Sequence, residues 1–239
     1  MNATASPLRS LLSKLCYSAL GMAAVLAAIF GGLAWSKIRH KAALEQQVER
    51  CVSLPANDAT NPHVAPFAPT GLVVSDGVTF RCNGGVVRAK GLYALRQSPE
   101  APEVLAVPVN RRGSQLHLLQ AAENCMAARP GDPYGRVRLH YANGEVRDLE
   151  LIHQVHGRDW WVDPRKRGAN DPVPHPDTTT AWEKMTPDGY TIRLYHTRFA
   201  NPLPNETIVS ADFLSGKGEP SLMVFGFTVD DEEGKKLKR

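Results

Sequence analysis

The chain is short of the residue patterns that mark the common chemistries. Its four cysteines, Cys16, Cys51, Cys82 and Cys125, stand far apart. With no CxxC and no cysteine–histidine spacing of the zinc type, a zinc module and a dithiol redox motif are excluded. No GxSxG is present, so the strained serine turn of the α/β-hydrolases is excluded as well. No stripe of basic residues interleaved with aromatics shows on one face, so no nucleic-acid interface is expected. The formal charge is only +4, and much of the excess lies beside the N-terminal apolar run and in the tail Lys235-Lys236-Leu237-Lys238-Arg239. That is weak ground for an anionic partner. No segment repeats.

Long hydrophobic runs are also scarce, with one exception. Residues 15–36, LCYSALGMAAVLAAIFGGLAWS, contain no charge. At 1.5 Å per residue such a run covers about 33 Å, enough for a hydrocarbon core of roughly 30 Å. Trp35 stands where an interfacial aromatic belongs. Gly32-Leu33-Ala34 offers a signal-peptidase alternative, but the run exceeds an ordinary signal-peptide core, so an uncleaved anchor is expected. Flanking charge does not orient it: Arg9 and Lys14 face Lys37, Arg39 and Lys41 across the run. The fold reading below places residues 1–14 in the cytoplasm and the rest of the chain outside the cytoplasmic membrane.

Residues 37–53 carry strong helix formers with Ile38, Ala42, Leu44, Val48 and Val52 at helical spacing, which predicts a juxtamembrane helix. Residues 54–70 are rich in Pro, Asn, Ala and Thr and read as a linker. Residues 71–230 then switch to short strands and turns, and 231–239 are a charged tail. In the centre, Val137, Leu139 and Tyr141 alternate with Arg136, Arg138 and His140, the period of a strand with one wet face. Asn143-Gly144 predicts a tight type I′ hairpin turn, and a slip of phase near Asp148 predicts a bulge. Asp76-Gly77 marks another turn. YTIRLYHTRF, ETIVSADFLS and SLMVFGFTVD read as strands, with Met223, Phe225, Phe227 and Val229 on one apolar face, and 162–189 as a long proline-rich loop. Many strands with little helix between them predict an all-β sandwich.

The pieces VTFRCNGG, VPVNRRGSQLHLLQAA, LHYANGE, GRDWW, YTIRLYHTRFANPLPNETIVSADFLS and LMVFGFTV, in this order and spacing, resemble a galactose-binding-like jelly roll. Domains of this kind, similar to carbohydrate-binding modules, occur in membrane-tethered bacterial proteins. The resemblance implies a mainly β, extracytoplasmic domain without catalysis, holding a glycan or an envelope protein. The structural calcium common in the superfold has no recognisable set of oxygen ligands in this sequence, and no other cofactor is implied.

Candidate ligand residues follow from chemistry. A tryptophan face stacks on a sugar ring while charged neighbours bond its hydroxyls, which singles out Arg158, Asp159, Trp160, Trp161 and, in the long loop, Trp182. The plainer alternative is that the tryptophans pack the core and Arg158 and Asp159 brace a loop. Adjacent Trp160 and Trp161 should point to opposite faces. His153 and His156 lie three apart on an expected strand, which separates them and speaks against a metal pair. His117 and His140 take polar phases and are expected to face solvent. For hydrolysis, Asp159 with Asp212 is the one carboxylate pair worth weighing, and Asp212 reads more simply as a backbone-bonding residue. Asn205-Glu206-Thr207 fits the glycosylation pattern of a eukaryotic secretory protein. Of the three pairings open to Cys51, Cys82 and Cys125, Cys82–Cys125 is the expected disulfide, since both lie in the folded region; three buried free thiols are the alternative.

Overall fold

The computed structural model describes residues 36, 37, 39, 41–56, 66–99, 103–166, 168, 173 and 175–231. The anchor expected at 15–36 lies outside these residues except for Ser36. Most of the expected linker and of the charged tail lies outside them too. Among the described residues no helix is long and apolar enough to cross a membrane. The chain divides into two compact units, Met1–Gln46 and Gln47–Arg239. In the first, residues 41–46 are helical, and Lys41 faces Glu45 at 3.8 Å on the exposed helix surface.

The second unit is built almost wholly of antiparallel strands. Two short ones open it: β1 (Cys51–Val52) and, after the partly undescribed segment, β2 (Thr70–Ser75). There follow β3 (Val78–Asn83), β4 (Val87–Ala89), β5 (Val104–Arg111), β6 (Gln115–Glu123), β7 (Pro133–Tyr141) and β8 (Val146–Ile152). The last five are β9 (Trp161–Val162), β10 (Thr178–Met185), β11 (Thr191–Ala200), β12 (Ile208–Ser215) and β13 (Ser221–Asp230). One short helix, Leu92–Gln97, and a 3-10 turn, Cys125–Ala127, interrupt them.

The large sheet runs β1-β13-β6-β11-β10, with β4 also pairing β13 and β9 also pairing β11; a four-stranded sheet runs β5-β12-β7-β8; β2 and β3 form a separate hairpin. Two cores result. Val107, Leu116, Leu118, Leu139, Ile208, Phe213, Leu222 and Phe227 fill the space between the two sheets. Val78, Phe80, Leu119, Trp160, Ile192, Leu194, Met223 and Phe225 fill the space on the other face of the large sheet, beneath the β2–β3 hairpin. The large sheet is thus a middle layer, and every residue of β13 is buried.

Several local expectations change. Cys51 and Val52 are not helical: they pair with Thr228 and Phe227 of β13, so the folded unit starts well before residue 71. Leu54 at one end of the expected linker packs on the first core, and Phe67 and Ala68 at the other pack on the second. The expected loop 162–189 contains β10, whose Thr-rich sequence pairs with β11 from Thr178 to Met185. The type I′ turn is at Asp76-Gly77, where both φ angles are positive (+49° and +74°). At Asn143-Gly144 only Gly144 is positive, at +84°. Gly144 N–H donates to the Tyr141 carbonyl and Tyr141 N–H to that of Glu145, closing a three-residue loop instead. Pairing of β7 with β8 runs unbroken through Arg138–Asp148, so no bulge sits there. The apparent slip arises because Val146 lies exposed on the outer face.

The bulge that redirects the core side chains is in β13. Pairing with β6 shifts between Val224 and Gly226, which sends Met223 and Phe225 to the second core and Phe227 and Val229 to the first. The four do not share a face as expected. Gly226 is required at this point, since a Cβ there would lie 2.9 Å from the Phe80 Cβ.

Candidate functional site

Local backbone order brings Asp159, Trp160 and Trp161 to one place. Trp160 N–H donates to the Ala122 carbonyl, and Ala122 N–H to that of Arg158, which docks the segment along the end of β6. Trp161 then joins β11 opposite Ile192. Consecutive side chains diverge as expected. Trp160 is buried, 4% exposed, in the second core. Trp161 is half-buried and forms an aromatic cluster, edge-on to Phe67 at 5.6 Å and tilted to Tyr190 at 5.5 Å.

Trp161 lines a cleft of about 400 Å³ together with Glu123, Asn124, Met126, Asp159, Trp160 and Lys166. Two chain segments supply this lining, 123–126 and 159–166. Met126, an apolar side chain, is 87% exposed beside it. Asn124 holds a left-handed backbone (φ +63°) that turns the chain from β6 into the 3-10 turn. Glu123 is tied to Arg88 of β4 by an ion pair in which each side chain is only 12% exposed.

Asp159 is a brace. Its Oδ2 accepts the N–H of Cys125 at 2.9 Å and its Oδ1 the N–H of Trp161 at 3.0 Å. Burial pushes its carboxyl above the usual aspartate value, against the opposing pull of those two backbone bonds. Arg158 does not line the cleft; its Nη1 donates to the Gly168 carbonyl at 3.0 Å. Trp182 lies elsewhere, on β10, and lines a separate groove of about 460 Å³ with Leu72, Val74 and Lys184.

The remaining candidates fall apart in space or in role. Cys51, Cys82 and Cys125 are free thiols, so the expected Cys82–Cys125 disulfide is absent. The two belong to different cores, Cys82 to the second and Cys125 to the margin of the first. Burial, and then the nearby Cys51, push the Cys82 thiol up to about 12, which makes it inert. Burial, followed by Asp159 and Glu123, raises the Cys125 thiol well above its ordinary value. Asp212 bonds backbone, as the plainer reading had it. Its Oδ1 accepts the Ala106 N–H at 2.7 Å, where β5 takes a left-handed φ of +56°, and its Oδ2 meets His140 Nε2 at 2.7 Å. Asp212 and Asp159 share no partner.

His153 and His156 sit on a turn, not a strand, because Gln154 takes φ +62°. His156 Nδ1 accepts the Ile152 N–H at 3.0 Å, and its ring stacks at a tilt on His175 and Phe199. Burial first, then His175, lower its pKa to about 4. Among the described residues no group of three metal-ligating side chains is placed to hold an ion.

His117 overturns its expectation most plainly: it is 3% exposed. The face of β6 that reads as wet is covered by the β2–β3 hairpin. Its Nδ1 lies 2.9 Å from His196 Nε2, and His196 Nδ1 lies 3.2 Å from Ser75 Oγ and 3.6 Å from Asp76 Oδ2. The two imidazoles wall a cavity of about 290 Å³ with Asp76, Thr179, Asp177 and Arg198. A serine–histidine contact of this kind invites a hydrolase reading. Ser75, however, is buried and is not among the residues that line the cavity.

Sequence reasoning found Asp159, Trp160 and Trp161 but missed Glu123, Asn124, Met126 and Lys166. Their one signal is the polar Glu123-Asn124 step that ends the apolar run of β6. No protein-family model, curated protein or solved structure matches this chain.

Proposed function

We propose that the chain is a membrane-anchored, extracytoplasmic binding protein whose β-sandwich unit holds a glycan at the Trp161 cleft and catalyses nothing itself. The observation that carries this reading is the half-buried Trp161 indole on a 400 Å³ cleft with Asn124, Lys166, Glu123 and Asp159. The volume falls within the roughly 300–1,000 Å³ of small-molecule sites. An aromatic wall with polar groups beside it suits a sugar, which has apolar ring faces and hydroxyl edges. The two carboxylates favour binding over hydrolysis, because Asp159 is engaged by two backbone N–H groups and Glu123 by Arg88. A glycosidase needs one carboxyl free to give a proton and another free to attack or to activate water.

The galactose-binding-like jelly-roll reading is supported by the winding. After β5 the chain passes repeatedly from one sheet to the other, with only β7–β8 and β10–β11 as hairpins within the two packed sheets. The anchor rests on the uncharged run 15–36, and the outward topology on the jelly-roll reading of the β-rich unit. A glycan array probed with the wild type and with Trp161→Ala tests the binding role. Signal lost in Trp161→Ala and kept in Trp182→Ala is the expected result. No signal from the wild type, or equal signal from both variants, removes this reading. A C-terminal reporter active only in the cytoplasm removes the topology.

A second reading, a structural subunit of an envelope complex, is favoured by one feature. β2 and β10 end their sheets unpaired on one side, and Leu72, Val74 and Met185 are exposed on them. Crosslinking in cells that returns monomers alone would count against it.

A further inference from the structure

We infer that Asp159 is the positioning residue of the Trp161 cleft: its carboxylate holds together the two chain segments that line the cleft, and loss of its negative charge lets them part. The inference rests on the binding role proposed for that cleft. One segment is anchored through Cys125 N–H, the first residue of the 3-10 turn that carries Met126. The other is anchored through Trp161 N–H, next to the indole itself. Each carboxylate oxygen takes one of the two bonds. A single side chain therefore ties the 3-10 turn that carries Met126 to the backbone at Trp161, beyond the point where the bridge between Ala122 and Asp159 and the Trp160 N–H bond to Ala122 join the two segments.

Charge is what makes the tie double. An ionised carboxylate accepts at both oxygens, and such charge-assisted bonds are about twice as strong as neutral ones. Protonation turns one oxygen into an O–H donor and a much poorer acceptor, which weakens the bond it took from an N–H. Acid should then release one wall. The groups that face Asp159 bear on where this happens. From β6 and the 3-10 turn come Glu123, already paired with Arg88, and the Cys125 thiol; from the turn after β8 comes His153, whose positive form favours the carboxylate. Tyr195 of β11 and the adjoining Arg158 lie within electrostatic reach, and Lys166 lines the same cleft. Burial outweighs the groups that favour ionisation and places the carboxyl above its ordinary value, so the release comes at a higher pH than for an ordinary aspartate.

The test follows the amide resonances of Cys125 and Trp161 in the full-length chain by ¹⁵N–¹H correlation spectra from pH 7.5 to 3.5. In the wild type both amide protons should move together, with one midpoint above that of an ordinary aspartate, and the Met126 methyl should follow the same midpoint. In Asp159→Asn both amides should be displaced already at pH 7, and that titration should be gone. A His153→Gln variant separates the alternatives. If the titration survives in Asp159→Asn and vanishes in His153→Gln, or if the two amides move with different midpoints, the inference is overturned. A ligand arm uses the soluble tetramer of N-acetylglucosamine. If it binds, its affinity in the wild type should fall between pH 7.5 and pH 3.5 with the same midpoint as the two amides, and Asp159→Asn should bind at least tenfold more weakly at pH 7. Equal affinity across that range overturns the inference, whereas absence of tetramer binding with the linked amide titration intact counts against the glycan and leaves the positioning role standing.

Discussion

At the scale of single residues, the buried polar groups are where the chain departs from simple packing. Asn201 is the clearest structural case. Its Nδ2 donates to the Gly113 carbonyl at 2.7 Å, and its Oδ1 accepts from the Leu203 N–H and the Tyr141 hydroxyl. Removing one partner of a buried bond leaves the other unsatisfied. Tyr141→Phe should therefore lower stability by about 1–2 kcal/mol, and Asn201→Ala by more, as read by urea unfolding. His156 is a different case, since its protonation is what folding opposes. Its folded pKa of about 4 lies below the ordinary 6.5. Between those values the unfolded chain binds a proton that the folded chain does not, so stability falls as pH drops from about 6.5 towards 4 and this contribution levels off below. The slope from one proton is about 1.4 kcal/mol per pH unit at most. In His156→Gln the stability–pH curve should be shallower than the wild type's across that window; an unchanged curve would mean that the ring titrates alike in the folded and the unfolded chain. Neither residue was legible from its neighbours in sequence. His117 was misread outright, because alternation tells which residues share a face and says nothing about what covers that face.

At the scale of elements, period-two patterning located nearly every strand and failed where a strand bends or hides. The β7 residues Val137, Leu139 and Tyr141 are buried while Arg136, Arg138 and His140 are partly exposed, as their alternation demands. β10 was lost because a Thr-rich edge strand with five of its eight residues exposed lacks an apolar period. β13 was found, but its faces were misassigned because a bulge adds one residue and reverses the phase after it. Glycine marks that site, and Gly226→Ala should be destabilising by about 1–3 kcal/mol, since the new methyl meets the Phe80 side chain in a closed core. Gly144→Ala probes another effect. No atom lies within 4 Å of the added methyl, so only the positive φ resists it. Its cost should be about 1 kcal/mol and should leave the Trp161 cleft untouched. Thermal melts of the two variants, with Trp161 fluorescence as a second signal, check both values.

At the scale of the whole folded unit, the decisive property is that one sheet serves two cores. A sandwich needs only two layers, and the sequence pattern predicted two. The third layer, the β2–β3 hairpin, carries Val78, Phe80 and Cys82 onto the far side of β6, β11 and β13 and thereby buries His117, His196 and Trp160. That layer is joined differently from the rest. Among the described residues no backbone ladder links it to the large sheet. Its attachments are apolar packing and a few polar contacts, among them the Thr228 hydroxyl on the Thr79 carbonyl at 2.8 Å and the Thr179 hydroxyl on Asp76 at 2.7 Å. An isolated two-stranded hairpin is marginal in water, so its order is borrowed from the sheet beneath it. β6 and β13, by contrast, are paired on both edges and covered on both faces. Local opening should therefore begin at the hairpin and reach the central strands only on global unfolding. Hydrogen exchange of the native chain should show the cross-strand amides of β2 and β3 exchanging at least tenfold faster than those of β6 and β13. Phe80→Ala should widen that gap, because it removes the ring that pins the hairpin over Gly226, while leaving the four-stranded sheet at its wild-type rates. Equal protection of all three layers would mean that the molecule opens as one cooperative block, and the hairpin would then be an integral part of the core and not a cover laid over it.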